Sequence, residues 1–137
     1  VYATLHANNA EETIVRLTHP PIEVPKAVLA SVSLILVQNR NRRTGKRRVL
    51  QLAEMTADST ADTFLRYHPV KDEIIAVKAP SRLFDTLELY TGMTRQEILQ
   101  DLKEKQAILK WLVDEKVYDV HEIGLVMSRY YAGELTI

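Results

Sequence analysis

Residues 31 to 55 read S-V-S-L-I-L-V-Q-N-R-N-R-R-T-G-K-R-R-V-L-Q-L-A-E-M. Two apolar runs, Ser31 to Gln38 and Arg47 to Met55, flank a polar and basic stretch. Short apolar runs bounded by turn residues read as strands. Gly45 offers the positive φ that a tight reversal often needs. The stretch therefore predicts a β-hairpin with a basic tip. Downstream, Thr63 to His68, the turn Pro69-Val70-Lys71-Asp72, and Glu73 to Lys78 predict a second hairpin. The small polar residues 56 to 62 between the two hairpins read as a loop.

Upstream, Val1-Tyr2-Ala3-Thr4-Leu5 is a short run of β-branched, aromatic and apolar residues, and it predicts a buried strand. A helix follows, with Asn8 or Asn9 as its cap and Glu11 and Glu12 in the first turn, where a carboxylate is favoured by the helix dipole. Pro20-Pro21 ends that helix, because the residue before a proline is pushed out of the α region. Lys26 to Ala30 reads as a brief helical turn. From Ser81 onward the apolar spacing becomes helical. Ser81 opens a helix carrying Leu83, Phe84, Leu87 and Tyr90, which stops at Gly92. Thr94 and Glu97 form a capping box for a long helix. Asp119 caps a third, which Gly133 closes. The expected fold class is α+β: strand and helix, two β-hairpins, then a three-helix C-terminal bundle. A soft boundary near residues 79–81 divides 1–80 from 81–137.

With 137 residues, 46% hydrophobic and 26% charged, the chain has the composition of a folded domain rather than a disordered one. It contains no cysteine, which excludes disulfide scaffolds, Cys-based zinc sites and thiol catalysis. No apolar run approaches the ~18 residues of a membrane span. The chain opens on Val1 in the middle of a strand-like run, so it reads as part of a longer protein. A strand end without its neighbour would then expose an edge and favour self-association.

Formal net charge is zero, but it is unevenly placed. Six of the nine residues from Arg40 to Arg48 are Arg or Lys, and the other 12 basic residues face 18 acidic ones. The cluster suits either a phosphate contact or a solvated hairpin tip. No aromatic residue interleaves it, which disfavours base stacking. His19, His68 and His121 have no metal-site spacing and read as structural or surface residues. His6 stands at a strand-to-helix junction, where ligands bind in open α/β sheets. There is no G-x-x-x-x-G-K-[ST] loop, no G-x-G-x-x-G and no G-x-S-x-G. The pair Glu11-Glu12 is explained by its helix start.

The run T-L-H-A-N-N from Thr4, then E-E-T-I-V-R-L from Glu11 and P-P-I-E-V-P from Pro20, resembles the ATPases of type II and type IV secretion systems. It is most similar to their archaeal branch of pilus and archaellum motors. T-L-H-A-N matches that family's His box. Val37-Gln38-Asn39-Arg40 and Arg47-Arg48-Val49 resemble the strands that follow it, and the Gly92-Met93-Thr94 and Leu109-x-Trp111-Leu112 stretches resemble its helical tail. The resemblance covers nearly all of residues 1–133.

It implies the C-terminal part of a RecA-like P-loop ATPase domain in a homohexameric ring. Such a ring couples ATP hydrolysis to protein export or filament assembly. The partners implied are the other ring subunits and a membrane-embedded secretion or pilus platform, with the ring peripheral at the cytoplasmic face of the membrane. ATP and Mg would act in the longer protein, whose Walker A and Walker B segments precede the His box. This chain alone is expected to lack ATPase activity. His6 matches the catalytic, phosphate-side histidine. Gln38 and Arg40 match a strand ending near the nucleotide pocket. Arg16 is a family position whose role is either a ring contact or an internal salt bridge. No role carries over to Arg42, Arg43 or Lys46, and no nucleic acid is expected as a partner. The alternative is a stand-alone phosphate- or nucleic-acid-binding module using the basic turn 40–48, although in a winged helix the helices would precede the hairpin.

Overall fold

The computed structural model describes residues 2–135. The chain divides into two compact units, Val1–Thr86 and Leu87–Ile137. The fold class is α+β. The first unit holds α1 (Ala10–Thr18), α2 (Lys26–Leu29), β1 (Leu34–Arg40), β2 (Arg47–Met55), β3 (Ala61–His68) and β4 (Glu73–Ala76). The four strands form one antiparallel sheet in the order β1-β2-β3-β4.

Both hairpins form as the sequence predicts. In the first turn Gly45 takes φ +71°, and its N–H donates to the Asn41 carbonyl at 2.8 Å. The Asn41 side chain accepts from the N–H groups of Arg43 and Thr44, which shapes the basic tip locally. A bulge between Val37 and Gln38 shifts the β1–β2 register, so that Val37 pairs with Gln51 but Gln38 pairs with Val49.

α1 begins where Asn9 caps it. The Asn9 Oδ1 accepts from the Glu12 N–H at 2.6 Å. The apolar side of α1 lies against the sheet. Ala10, Leu29, Ile35, Val37, Ala53 and Met55 make a buried core, with Ile14, Leu17, Val24 and Leu50 packed around it. Burying each large aliphatic side chain contributes roughly 1.5–3 kcal/mol, so this layer holds α1 and α2 on the sheet.

Two expectations change. Val1 lies outside the described residues, and residues 2–5 form no strand: they are irregular and exposed. A strand needs a hydrogen-bonded neighbour, and among the described residues none pairs with this run. The open edge expected to drive self-association is therefore absent there. The first long strand starts at Leu34 rather than Ser31. Residues 29–32 instead close a turn, with Ser31 N–H bonded to the Val28 carbonyl and Val32 N–H to that of Leu29.

α3 (Arg82–Thr91) starts in the first unit. Its first turn is tied to the sheet by Glu54, whose buried carboxylate accepts from the N–H groups of Ser81 (3.0 Å) and Leu83 (2.9 Å). Arg82 donates to the carbonyls of Met55 and Ala30. These bonds fasten the start of α3 to the sheet within the first unit, which runs to Thr86.

The second unit contains α4 (Arg95–Asp114) and α5 (Val120–Tyr131). Thr94 and Glu97 form the expected reciprocal capping box, and Asp119 caps α5 by accepting from His121 and Glu122 N–H. Ile98, Ile108 and Leu112 are buried. Tyr130 on α5 donates to Asp101 and Glu104 on α4. Among the described residues, no helix is long and apolar enough to cross a membrane.

Candidate functional site

The Asn8–Asn9 pair and the first turn of α1 form a closed polar knot. Asn8 donates its backbone N–H and its side-chain N–H to one Glu12 oxygen, both at 2.8 Å. Arg16, one turn on, donates to the other at 2.7 Å. The Asn8 backbone bond, then the Arg16 bond, hold the Glu12 carboxyl below its usual range. Arg16 is thus bound to a carboxylate of its own helix. The helix start is also fixed to the sheet, because the Ala10 N–H donates to Gln51 Oε1 on β2 at 3.0 Å. His6 lies just upstream of this knot, exposed and in irregular backbone.

The basic hairpin has a depression on each side. Gln38, Arg40 and Arg47 line the smaller, of about 370 Å³, together with Asn39, Arg48 and Val49. The larger, of about 770 Å³, lies between the start of α1 and the tip of the hairpin. Asn8, Asn9 and Glu11 contribute from α1, Arg43, Lys46 and Arg48 from the hairpin, and Arg66, Tyr67 and Asp72 from the second hairpin. Of the residues singled out from the sequence, Gln38 and Arg40 come together. His6 and Arg16 line neither depression.

Asp72 organises the larger groove. Arg48 donates to it twice, from Nε to Oδ1 at 2.6 Å and from Nη2 to Oδ2 at 2.8 Å. The Tyr67 hydroxyl donates to Oδ1 at 2.8 Å, and the Lys46 ammonium stands 3.6 Å from Oδ2. The Arg48 bonds, then the Tyr67 bond, hold the Asp72 carboxyl far below the usual carboxylate range. The same contact raises the Arg48 guanidinium and the Tyr67 phenol. Two of the six basic tip residues are therefore balanced. Among the described residues, Arg40, Arg42, Arg43 and Arg47 make no ion pair, and neither does Arg66.

Sequence reasoning missed Arg66, Tyr67 and Asp72. Asp72 carries only a turn signal, and nothing local links it to Arg48, 24 residues away. In the second unit the Tyr130 phenol is pushed up to about 12 by desolvation, then by its bond to Asp101. Its partners are the carboxylates that bind α5 to α4, so the shift belongs to packing. Among the described residues, no group of three or more His, Asp or Glu side chains is placed to hold a metal ion.

No protein-family model matches the chain. It is similar to an uncharacterized protein of Methanocaldococcus jannaschii, 31% identical over 135 residues that take in 93% of this chain and 19% of the relative. The chain thus spans about a fifth of the length of the curated relative it matches.

Proposed function

We propose that this chain is the C-terminal portion of a motor ATPase of the type II/type IV secretion, pilus or archaellum class. In this proposal the chain belongs to a RecA-like domain of a homohexameric ring, peripheral at the cytoplasmic face of a membrane and working on an embedded platform protein. The observation that carries it is the T-L-H-A-N-N run leading straight into the Asn9-capped helix. The exposure of His6 supports the assignment, because an imidazole on the surface is available to a neighbouring subunit or to a nucleotide held elsewhere in the ring. So does the far greater length of the archaeal relative, which fits a segment of a larger protein.

In this reading the Mg·ATP-binding segments belong to the longer protein. The sequence has no phosphate-cradling P-loop. Phosphoryl transfer rests on such positioned groups, so hydrolysis is assigned to the longer protein. Within it, His6 is the coupling residue, while Gln38 and Arg40 are nucleotide or interface candidates. Arg16, bound to Glu12, steadies the helix that follows His6.

The second reading, a stand-alone phosphate- or nucleic-acid-binding module, is favoured by the four tip arginines that make no ion pair among the described residues. As a nucleic-acid reader it is disfavoured by Asp72, which balances Arg48 and Lys46. The two separate on the longer protein. The motor reading expects ATP hydrolysis and a hexameric mass in sedimentation. A monomer without turnover would overturn it.

A further inference from the structure

The basic hairpin has two chemically different sides. Gln38 pairs with Val49, Asn39 with Arg48 and Arg40 with Arg47. Successive strand residues point to opposite faces. Gln38, Arg40, Arg47 and Val49 therefore share one face, while Asn39 and Arg48 share the face of buried Val37, on which α1 packs. The larger groove is on this α1 side, away from Gln38 and Arg40.

Four cations, Arg43, Lys46, Arg48 and Arg66, line that groove against two carboxylates, Glu11 and Asp72. The Asp72 oxygens are already taken by Arg48 and Tyr67. Among the described residues, no partner occupies the guanidinium forks of Arg43 and Arg66. Asn41 uses its side-chain oxygen on the turn, which leaves its amide N–H groups to donate. Leu50, Tyr67 and Pro69 supply an apolar wall beside these donors. About 770 Å³ falls within the range of small-molecule sites, which typically combine apolar walls with a few polar anchors.

We infer that this groove binds a phosphorylated small molecule with an apolar ring: the phosphates lie against Arg43, Lys46 and Arg66, and the ring lies over Leu50, Tyr67 and Pro69. Guanidinium forks match phosphate oxygens two at a time, which a diffuse basic surface does not. The carboxylates of Glu11 and Asp72 at the groove wall disfavour a continuous nucleic-acid backbone there. The inference stands on the groove alone and is independent of the motor reading.

The test is calorimetric titration of the 137-residue chain with adenosine diphosphate, which carries both parts, and with inorganic pyrophosphate, which carries only one. Saturable binding is expected, tighter for the nucleotide. Arg43→Ala and Arg66→Ala should each weaken it roughly tenfold or more, the usual scale for losing a charge-assisted bidentate contact. Arg43→Lys, which keeps the charge and loses the fork, should fall between. Arg42→Ala and Arg47→Ala, outside the groove, should leave it unchanged. All four positions are exposed, and circular dichroism of each variant confirms folding. The inference is overturned if neither probe binds, if pyrophosphate binds as tightly as the nucleotide, or if both pairs of substitutions weaken binding equally. Tighter binding of duplex DNA that is lost with Arg42 and Arg47 would also overturn it.

Discussion

The Arg48 guanidinium and the Asp72 carboxylate face each other through two hydrogen bonds, 2.6 Å at Nε and 2.8 Å at Nη2. The registered pairing of β2 with β3 runs from Met55 only to Gln51. Beyond that point this ion pair carries the association onward, fastening the tip end of the first hairpin to the turn of the second. Asp72 sits at φ 53°, a left-handed conformation that Asp tolerates better than most residues. The turn thereby presents its carboxylate to Arg48, and the groove wall is set by two residues that neither hairpin specifies alone.

Acid should loosen this fastening. The folded-state pKa of Asp72 is depressed below its ordinary value of 3.8. A depressed carboxylate contributes stability that is present above the unfolded-state value and is lost as pH falls through the folded one. Urea midpoints of the wild type and Asp72→Asn should therefore differ at neutral pH, with the wild type more stable. The gap should close as pH drops below the usual carboxylate range. A gap that stays constant with pH would show that the pair contributes nothing through its charge.

Glu54 is buried and accepts from two backbone N–H groups at the start of α3. Glu54→Ala would leave those donors without their partner, which costs about 1–3 kcal/mol for a buried group. Chemical denaturation should show that loss. Glu54→Gln, which keeps an acceptor oxygen, should recover part of it.

The basic tip should not act as a duplex reader. Replacing Arg42, Arg43 and Lys46 together by Ala should leave the fold intact, because exposed charges contribute little to stability. Duplex DNA at near-physiological salt should bind neither protein appreciably. Tight binding whose salt slope falls by about 0.9 per contact removed would establish a nucleic-acid module instead.

What could be read in the sequence was what depends on neighbours in the chain. Asn9, Thr94 and Asp119 announce their helices because each cap closes on a donor two or three residues away. The hairpin at Gly45 is similarly local. The run before His6 has the composition of a strand but forms none, because apolar composition alone does not make a strand without a paired partner. The Arg48–Asp72 pair, the Gln51–Ala10 bond and the Glu54 cap for α3 were illegible for a related reason. Each joins residues brought together only after the sheet register and the docking of helices on it are set. The same holds for the candidate groove, whose cations come from both hairpins, whereas His6, Gln38 and Arg40 entered through local motif likeness.

ATP turnover in the longer protein, with His6 intact and replaced, decides whether this chain serves a secretion-class motor. His6 is exposed and outside the core, so His6→Ala should leave folding and ATP binding essentially unchanged. Loss of a charge-stabilising donor typically lowers rate by ~10²–10³, and kcat should fall on that scale, while the 137-residue chain alone shows no turnover. Hydrolysis by the longer protein that is unaltered by His6→Ala, or no hydrolysis by that protein at all, would rule out the motor role assigned to this chain.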